Sequence, residues 1–317
     1  MNKLLYIFLF ASLFFVACSS EDVPDNPQNN DKQIELRLDI KNFVGENKTK
    51  AGFDATADEK QIDNINLFIE SGSTWHKYYI ASTTFAGGIW EKANDKILLS
   101  LTPASVGTAN VYVVANAGNT LGGINSAVDL KAYAINNASP WSDNITTPLI
   151  MSGSVLNHNF TTTPTLNAVP LTRAVAKVEV EVTLSQQYQS TPTVTNPYDA
   201  SDVRDQYKYE FKNFDKNIYL FKPTSKTNSL ADKTWTVFDA NFGDKLSAYE
   251  LSSGKVTTLK FITYINERDT GAETTINVAL PFWDNGAPPP SFEGEELPIK
   301  LPVEIKRNHY YKVAVQM

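Results

Sequence analysis

Of its 317 residues the chain spends only one on cysteine, Cys18. No intrachain disulfide can form, so the fold must rest on its packed core. Histidine is nearly as scarce: His76, His158 and His309. None lies at i,i+4 helix spacing with another His or Cys, so no zinc site is suggested. Positive charge is in deficit. The formal net charge is −7, and residues 1–17 carry only Lys3, so the chain without them stands at −8. Binding along a phosphate backbone needs clustered Lys and Arg, and no nucleic-acid partner is expected. Glycine-rich phosphate loops are missing too; Gly87-Gly88 and Gly122-Gly123 read as turns. No G-x-S-x-G elbow occurs. The carboxylates Glu293, Glu295 and Glu296 read as a solvated loop, with no spacing that favours a glycosidase pair or a calcium site. The chain is therefore read as not an enzyme, with no catalytic residue, metal or cofactor. A Ser-His-Asp arrangement assembled from distant positions stays open, as does a surface hydrolase built on carboxylates the sequence does not bring together.

Long apolar runs are absent as well. Leu4 to Ala17 is too short for a membrane span, which needs roughly 20 residues. Preceded by Lys3, it has the length of a signal-peptide core, and residues 1–17 are assigned to one. The run ends Phe15-Val16-Ala17-Cys18, which resembles a bacterial lipobox with Phe15 where Leu is usual. Cleavage before Cys18 and lipid on its sulfur would follow; an ordinary signal with an incidental Cys is the alternative. Each buried acyl methylene contributes about 0.8 kcal/mol, so several chains anchor a protein to the outer membrane. Residues 18–33 are polar, acidic and rich in Pro and Asn, and read as a tether.

What the sequence does have is β-pattern. From Ala174 the stretch Val169 to Val182 alternates: Ala174, Ala176, Val178, Val180 and Val182 on one face, Lys177, Glu179 and Glu181 on the other. That is the period of a half-buried strand. It is expected to be the last strand of a first β-domain, residues 34–185, leading into a second, residues 186–317. Ile34 to Ile40 alternates equally cleanly and is the first strand. Others are expected around Ile62–Ile69, Trp75–Ser82, Lys96–Leu101, Val111–Ala115, Pro148–Ser154 and Leu166–Val169. Ser126 to Asn137 is the one plausible helix. In the second half strands are expected near Tyr207–Phe214, Asn217–Phe221, Lys255–Tyr264, Thr275–Phe282 and Arg307–Val315, with Pro223–Lys233 as a loop. Many short strands between turn residues suggest sandwiches, so the fold class is all-β.

Tyr112-Val113-Val114-Ala115-Asn116-Ala117, then Met151-Ser152-Gly153, then Pro170-Leu171-Thr172-Arg173-Ala174-Val175-Ala176-Lys177-Val178 resemble the fimbrillins, the major fimbrial subunit or type V pilin family, in order and spacing. Tyr264-Ile265-Asn266-Glu267-Arg268 is similar to a later motif of that family, with Arg268 where it has Asn. Arg307-Asn308-His309-Tyr310-Tyr311-Lys312-Val313 is similar to another. The resemblance implies two transthyretin-like β-sandwich domains in tandem, with a minor helix in the first. It implies a lipoprotein precursor displayed on the outer membrane and in fimbriae, adhering to host or bacterial surfaces. It further implies a protease cut in the loop after the first strand, departure of that strand, and its replacement by a strand from another subunit. In this sequence the loop offers Lys50 followed by Ala51 where the family usually has Arg; Lys48 and Lys50 are otherwise a solvated pair. The displaceable strand would be Ile34–Ile40, with Ile34, Leu36, Leu38 and Ile40 facing inward. Shaft pilins usually continue past the position of Met317 to supply the donor strand, so a tip or anchor subunit is a second expectation. The competitor from another class is a surface glycan-binding lipoprotein, with Trp90, Trp141, Trp235 and Trp283 as stacking candidates; core packing is the alternative use of those rings.

Overall fold

The structure is a computed structural model that describes residues 33–45, 54–142, 144–195, 199, 201–224, 226–239, 247–269, 271–284 and 291–317. Cys18, Lys50 and Ala51 lie outside the described residues. The strands are β1 (Ile34–Ile40), β2 (Val44–Gly45), β3 (Ile65–Ser71), β4 (Thr74–Ile80), β5 (Thr84–Phe85), β6 (Gly88–Glu91), β7 (Lys96–Leu99), β8 (Thr108–Ala115), β9 (Ala134–Asn136), β10 (Met151–Asn159) and β11 (Thr165–Arg173). After Ala174 come β12 (Val175–Thr183), β13 (Lys208–Asp215), β14 (Asn217–Tyr219), β15 (Leu230–Val237), β16 (Ser247–Ser252), β17 (Lys255–Asn266), β18 (Thr275–Leu280), β19 (Trp283–Asp284), β20 (Ser291–Phe292), β21 (Glu295–Lys300) and β22 (His309–Gln316). The described α-helices are short: α1 (Ala57–Lys60), α2 (Pro103–Val106) and α3 (Ala127–Ala132).

A nine-stranded sheet runs β4-β3-β8-β10-β11-β1-β7-β6-β5. It folds over on itself, because inward residues of β3 and β8 (Ile65, Leu67, Ile69, Val111, Val113) share one core with those of β1, β6 and β7 (Ile34, Leu36, Leu38, Trp90, Ile97, Leu99). A five-stranded sheet, β16-β17-β12-β22-β2, packs on a four-stranded one, β15-β13-β18-β21. Their shared core joins Ala176, Val178, Val180 and Val182 to Tyr209, Phe211, Phe261, Ile276 and Val278. The all-β class and the paired-sandwich layout follow from these two cores. Alternation along β1 and β12 puts every second side chain into a core, as period-two geometry requires.

Three expectations need correcting. Val175–Thr183 does not close the first sheet. It lies between β17, antiparallel (Val180 opposite Phe261), and β22, parallel (Val180 opposite Val313), in the second sandwich. Alternation sets which face is buried but says nothing about which strands flank it. The helix is confined to Ala127–Ala132, capped by Ser126, whose hydroxyl accepts from the Asp129 amide at 3.1 Å. Tyr133 turns extended, and Ala134–Asn136 instead pairs with β14. Finally, part of the expected 223–233 loop belongs to β15, and Glu295 and Glu296 open β21 while staying exposed.

Among the ties between the two sandwiches, two bear on the site. β9 and β14 form a small ribbon, and Leu220 just beyond it is buried against Phe68, Tyr112 and Leu130 of the first half. The second tie follows β1: the chain leaves the nine-stranded sheet at Ile40 and by Val44 pairs in parallel with His309 of β22.

Candidate functional site: the seat of the first strand

β1 is an interior strand. On one side it runs parallel to β11, with Leu36 opposite Leu166, Leu38 opposite Val169 and Ile40 opposite Leu171. On the other it runs antiparallel to β7, with Ile34 opposite Leu99 and Leu36 opposite Ile97. The register against β11 shifts between Leu36 and Leu38, while on the β7 side the ladder runs on past Arg37, with the Leu38 amide donating to the Asp95 carbonyl 2.9 Å away. Ile34 and Leu36 are wholly buried, Leu38 nearly so, and Ile40 packs partly buried against the same core. Each such aliphatic side chain contributes about 1.5–3 kcal/mol when buried. The strand is thus bonded on both edges and glued by one face, a structural role that matches its alternating sequence.

The segment after β1 is held by a polar clasp between the sandwiches. The Lys41 amide donates to the Leu171 carbonyl at 3.0 Å, and Arg173 Nη1 donates to the Lys41 carbonyl at 2.7 Å. Asn308 Nδ2 donates to the Asn42 carbonyl at 2.7 Å, and the Val44 amide returns a bond to the Asn308 carbonyl at 2.8 Å. Between them Phe43 is buried, its ring centroid 4.4 Å from the Arg173 guanidinium carbon. Arg173 is itself fully buried; its Nε and Nη2 both donate to the Glu59 carbonyl, at 3.0 and 2.8 Å, and Nη1 also reaches Asn308 Oδ1 at 2.9 Å. Asn308 sits at φ +56, a left-handed conformation that Asn tolerates better than most residues.

Glu59 anchors the back of this clasp. It is the third residue of α1, whose capping box pairs the Thr56 hydroxyl with the Glu59 amide and the Thr56 amide with the Glu59 carboxylate. The same carboxylate accepts from Lys177 Nζ at 2.8 Å and from the Tyr264 hydroxyl at 2.6 Å. Burial pushes its pKa up, but the bonds from Lys177, Tyr264 and Thr56 outweigh burial and hold it below the ordinary carboxylate value. Burial and the neighbouring Glu59 charge push the Tyr264 phenol well above its usual value. Arg173 is lowered by desolvation against the pull of Glu59. This network is a positioning device. It fixes backbone carbonyls and a ring, and offers no acid–base pair aimed at an open cleft.

The remaining sequence candidates fall elsewhere. The His158 ring rests on Phe160, with centroids 4.5 Å apart, and its Nε2 is 2.8 Å from the Thr163 carbonyl. Trp90 and Trp141 are core residues and cannot present a stacking face. Among the described residues no group of three or more His, Cys, Asp or Glu is placed to hold a metal ion. Neither spacing nor composition marks Arg173, Asn308, Glu59 or Phe43 as site residues. Arg173 and Asn308 do lie inside motifs quoted for the resemblance, and Arg173 is a charged residue at the buried end of a strand. The Met151-Ser152-Gly153 motif also gains a reason. Gly153 passes so close to the Pro170 carbonyl that a Cβ would overlap it, and the Ser152 hydroxyl donates to the Leu220 carbonyl.

Residues 174–316 match the sequence model of a family described as minor fimbrium tip subunit MfA4, C-terminal. Over 336 aligned residues, covering 99% of each chain, this chain is 36% identical to the minor fimbrium tip subunit MfA4 of Porphyromonas gingivalis. In overall fold it is similar to a candidate cell adhesion protein of Parabacteroides distasonis, with a TM-score of 0.58 and 11% identity over 91% of this chain and 88% of that one. A second candidate cell adhesion protein, from Bacteroides eggerthii, gives a TM-score of 0.53 at 17% identity, over the same shares.

Proposed function

This chain belongs to the minor fimbrium tip subunit family of fimbrillins, and on that premise we propose that it is a structural, non-enzymatic subunit of a surface fimbrium, seated at its tip and serving adhesion. It reaches the outer membrane as a lipoprotein acylated at Cys18 and is cut between Lys50 and Ala51. The two halves, taken as about 34–173 and 174–317, work as separate sandwiches joined by the clasp. Other fimbrial subunits are its partners, and a host or bacterial surface molecule is its ligand.

One observation carries the assembly step. β1 is bonded to a neighbour on both sides, yet residues 33–45 join the rest of the body covalently only through residues 46–53. A single cut there leaves residues 33–45 held to the body by noncovalent contacts alone. Departure of the strand exposes the β7 and β11 edges and an apolar slot, which a strand from another subunit can fill by β-augmentation. The burial of Ile34, Leu36 and Leu38 makes the exchange strongly downhill once a donor is found.

The test is the intact mass and N-terminal sequence of the protein taken from isolated filaments. An N-terminus at Ala51 is the expected result. A lipidated Cys18 still attached to the filament-bound chain would overturn the strand-exchange step and make the protein an anchor. Absence from filaments would overturn the fimbrial role.

A further inference from the structure

Main-chain bonds cannot tell one strand from another. The Lys41 and Asn42 carbonyls that Arg173 and Asn308 grip are present in any peptide, as are the ladder bonds to β7 and β11. The apolar slot asks only for alternation, which many strands satisfy. One feature of the seat is more demanding. Phe43 follows Ile40 by three residues, and its ring enters a closed socket at the junction of the sandwiches. The socket is made by Ala55, Ile145, Leu149, Val175 and Tyr310 and roofed by the Arg173 guanidinium. Lys177 Nζ stands 6.0 Å from the ring centroid on the same site. A flat ring beneath a buried guanidinium gains a cation–π contact that no aliphatic side chain can give. Every one of these socket residues belongs to the body that remains after a cut in the 46–53 segment.

Resting on the strand-exchange reading above, we propose that the seat selects its donor by an aromatic anchor. A strand that docks here in trans carries apolar residues at four alternating positions. Three residues after the last of them it carries Phe, Tyr or Trp, which fills the Arg173 socket. The anchor sets register. The slot alone would tolerate a slip of two residues, because every second side chain would still point inward. The socket occurs once, so a slipped strand leaves it empty. Length is selected as well, since the donor must run on past the slot and through the clasp.

The test puts the variation in the peptide, so the folding of the body is not at stake. The full chain is cut in the 46–53 segment by limited trypsin, and fluorescein-labelled synthetic peptides of residues 33–46 are exchanged in and followed by anisotropy. The native peptide is expected to enter and stay. Phe43→Ala should bind at least about a hundred-fold more weakly, and Phe43→Tyr or Phe43→Trp should recover most of that loss. A peptide with Lys41→Phe and Phe43→Lys, which moves the ring by two residues, should behave like Phe43→Ala. If Phe43→Ala binds as well as the native peptide while Leu36→Ala does not, the slot alone recognises the strand and the anchor is wrong. If no peptide exchanges, the native one included, the strand-exchange reading fails and takes the anchor with it.

Discussion

Arg173 and Asn308, 135 residues apart in sequence, are joined by a 2.9 Å hydrogen bond from Nη1 to Oδ1, and each spends a donor on the carbonyl of one of two consecutive residues, Lys41 and Asn42. One ends β11 in the first sheet and the other stands just before β22 of the second. The chain segment they hold is therefore a bolt through both sandwiches.

Removing either residue orphans buried groups. Arg173→Met strips the Glu59 and Lys41 carbonyls of their donors and is expected to cost about 2–5 kcal/mol, because each buried acceptor left unpaired costs about 1–3 kcal/mol. Asn308→Ala should cost about 1–3 kcal/mol, because it leaves the Asn42 carbonyl bare and forces alanine into a left-handed turn. Urea unfolding of the two single variants and the double variant should give a coupling of about 0.5–3 kcal/mol; strict additivity would mean the clasp is not a unit.

The clasp should be acid-sensitive through Glu59. Its native pKa lies below the ordinary value. The stability it supplies is therefore complete above the unfolded pKa, about 4.3, and is lost as pH falls through the lower native value. Glu59→Gln should cost about 1–3 kcal/mol at neutral pH, and the gap to wild type should close on acidification. Urea midpoints measured from pH 7 to pH 3 check this; a gap that stays constant would show that the charge on Glu59 is not what stabilises the clasp.

Lys226 and Asp215 form a second buried pair, with side chains 1% and 0% exposed and Nζ 3.5 Å from Oδ2. Burial lowers the Lys226 pKa, against the pull of Asp215 and Glu267. Lys226 also donates to the Glu267 carbonyl, so it pins the loop that carries Leu220 into the first half. Lys226→Met should cost about 3–5 kcal/mol by leaving a carboxylate buried alone, and Asp215→Asn on that background should restore part of it. Thermal melts of the three variants decide between this and a simple packing loss, which the second change would not relieve.

Gly153→Ala should cost about 1–3 kcal/mol by driving β10 away from the Pro170 carbonyl. Gly123→Ala, where a Cβ meets nothing within 4 Å, should stay within about 0.5 kcal/mol of wild type. Equal melting temperatures for the two variants would show that the close approach is not real.

Much of this molecule could be read without coordinates. The alternation of Ile34–Ile40 and Val175–Thr183, with β-branched residues on one face, determines strands and tells which side chains are buried, because side-chain direction in a strand is a local property of the pleat. Scarcity of cysteine, histidine and positive charge excludes a disulfide frame, a helical zinc motif and a phosphate-backbone partner, while the resemblance to the fimbrillins lies in short motifs such as Tyr112 to Ala117, Met151 to Gly153 and Pro170 to Val178 and in their order. Which strands become neighbours is not local. Val175–Thr183 crossed to the second sandwich because Val180 found Phe261 and Val313 beside it, a choice made among residues far along the chain. The clasp was hidden for the same reason. Phe43, Glu59, Arg173 and Asn308 carry no shared spacing, and only tertiary packing brings a ring, a carboxylate, a guanidinium and an amide to the point where β1 leaves one sheet for the other. There, buried polar groups must be satisfied by whatever the fold places within reach.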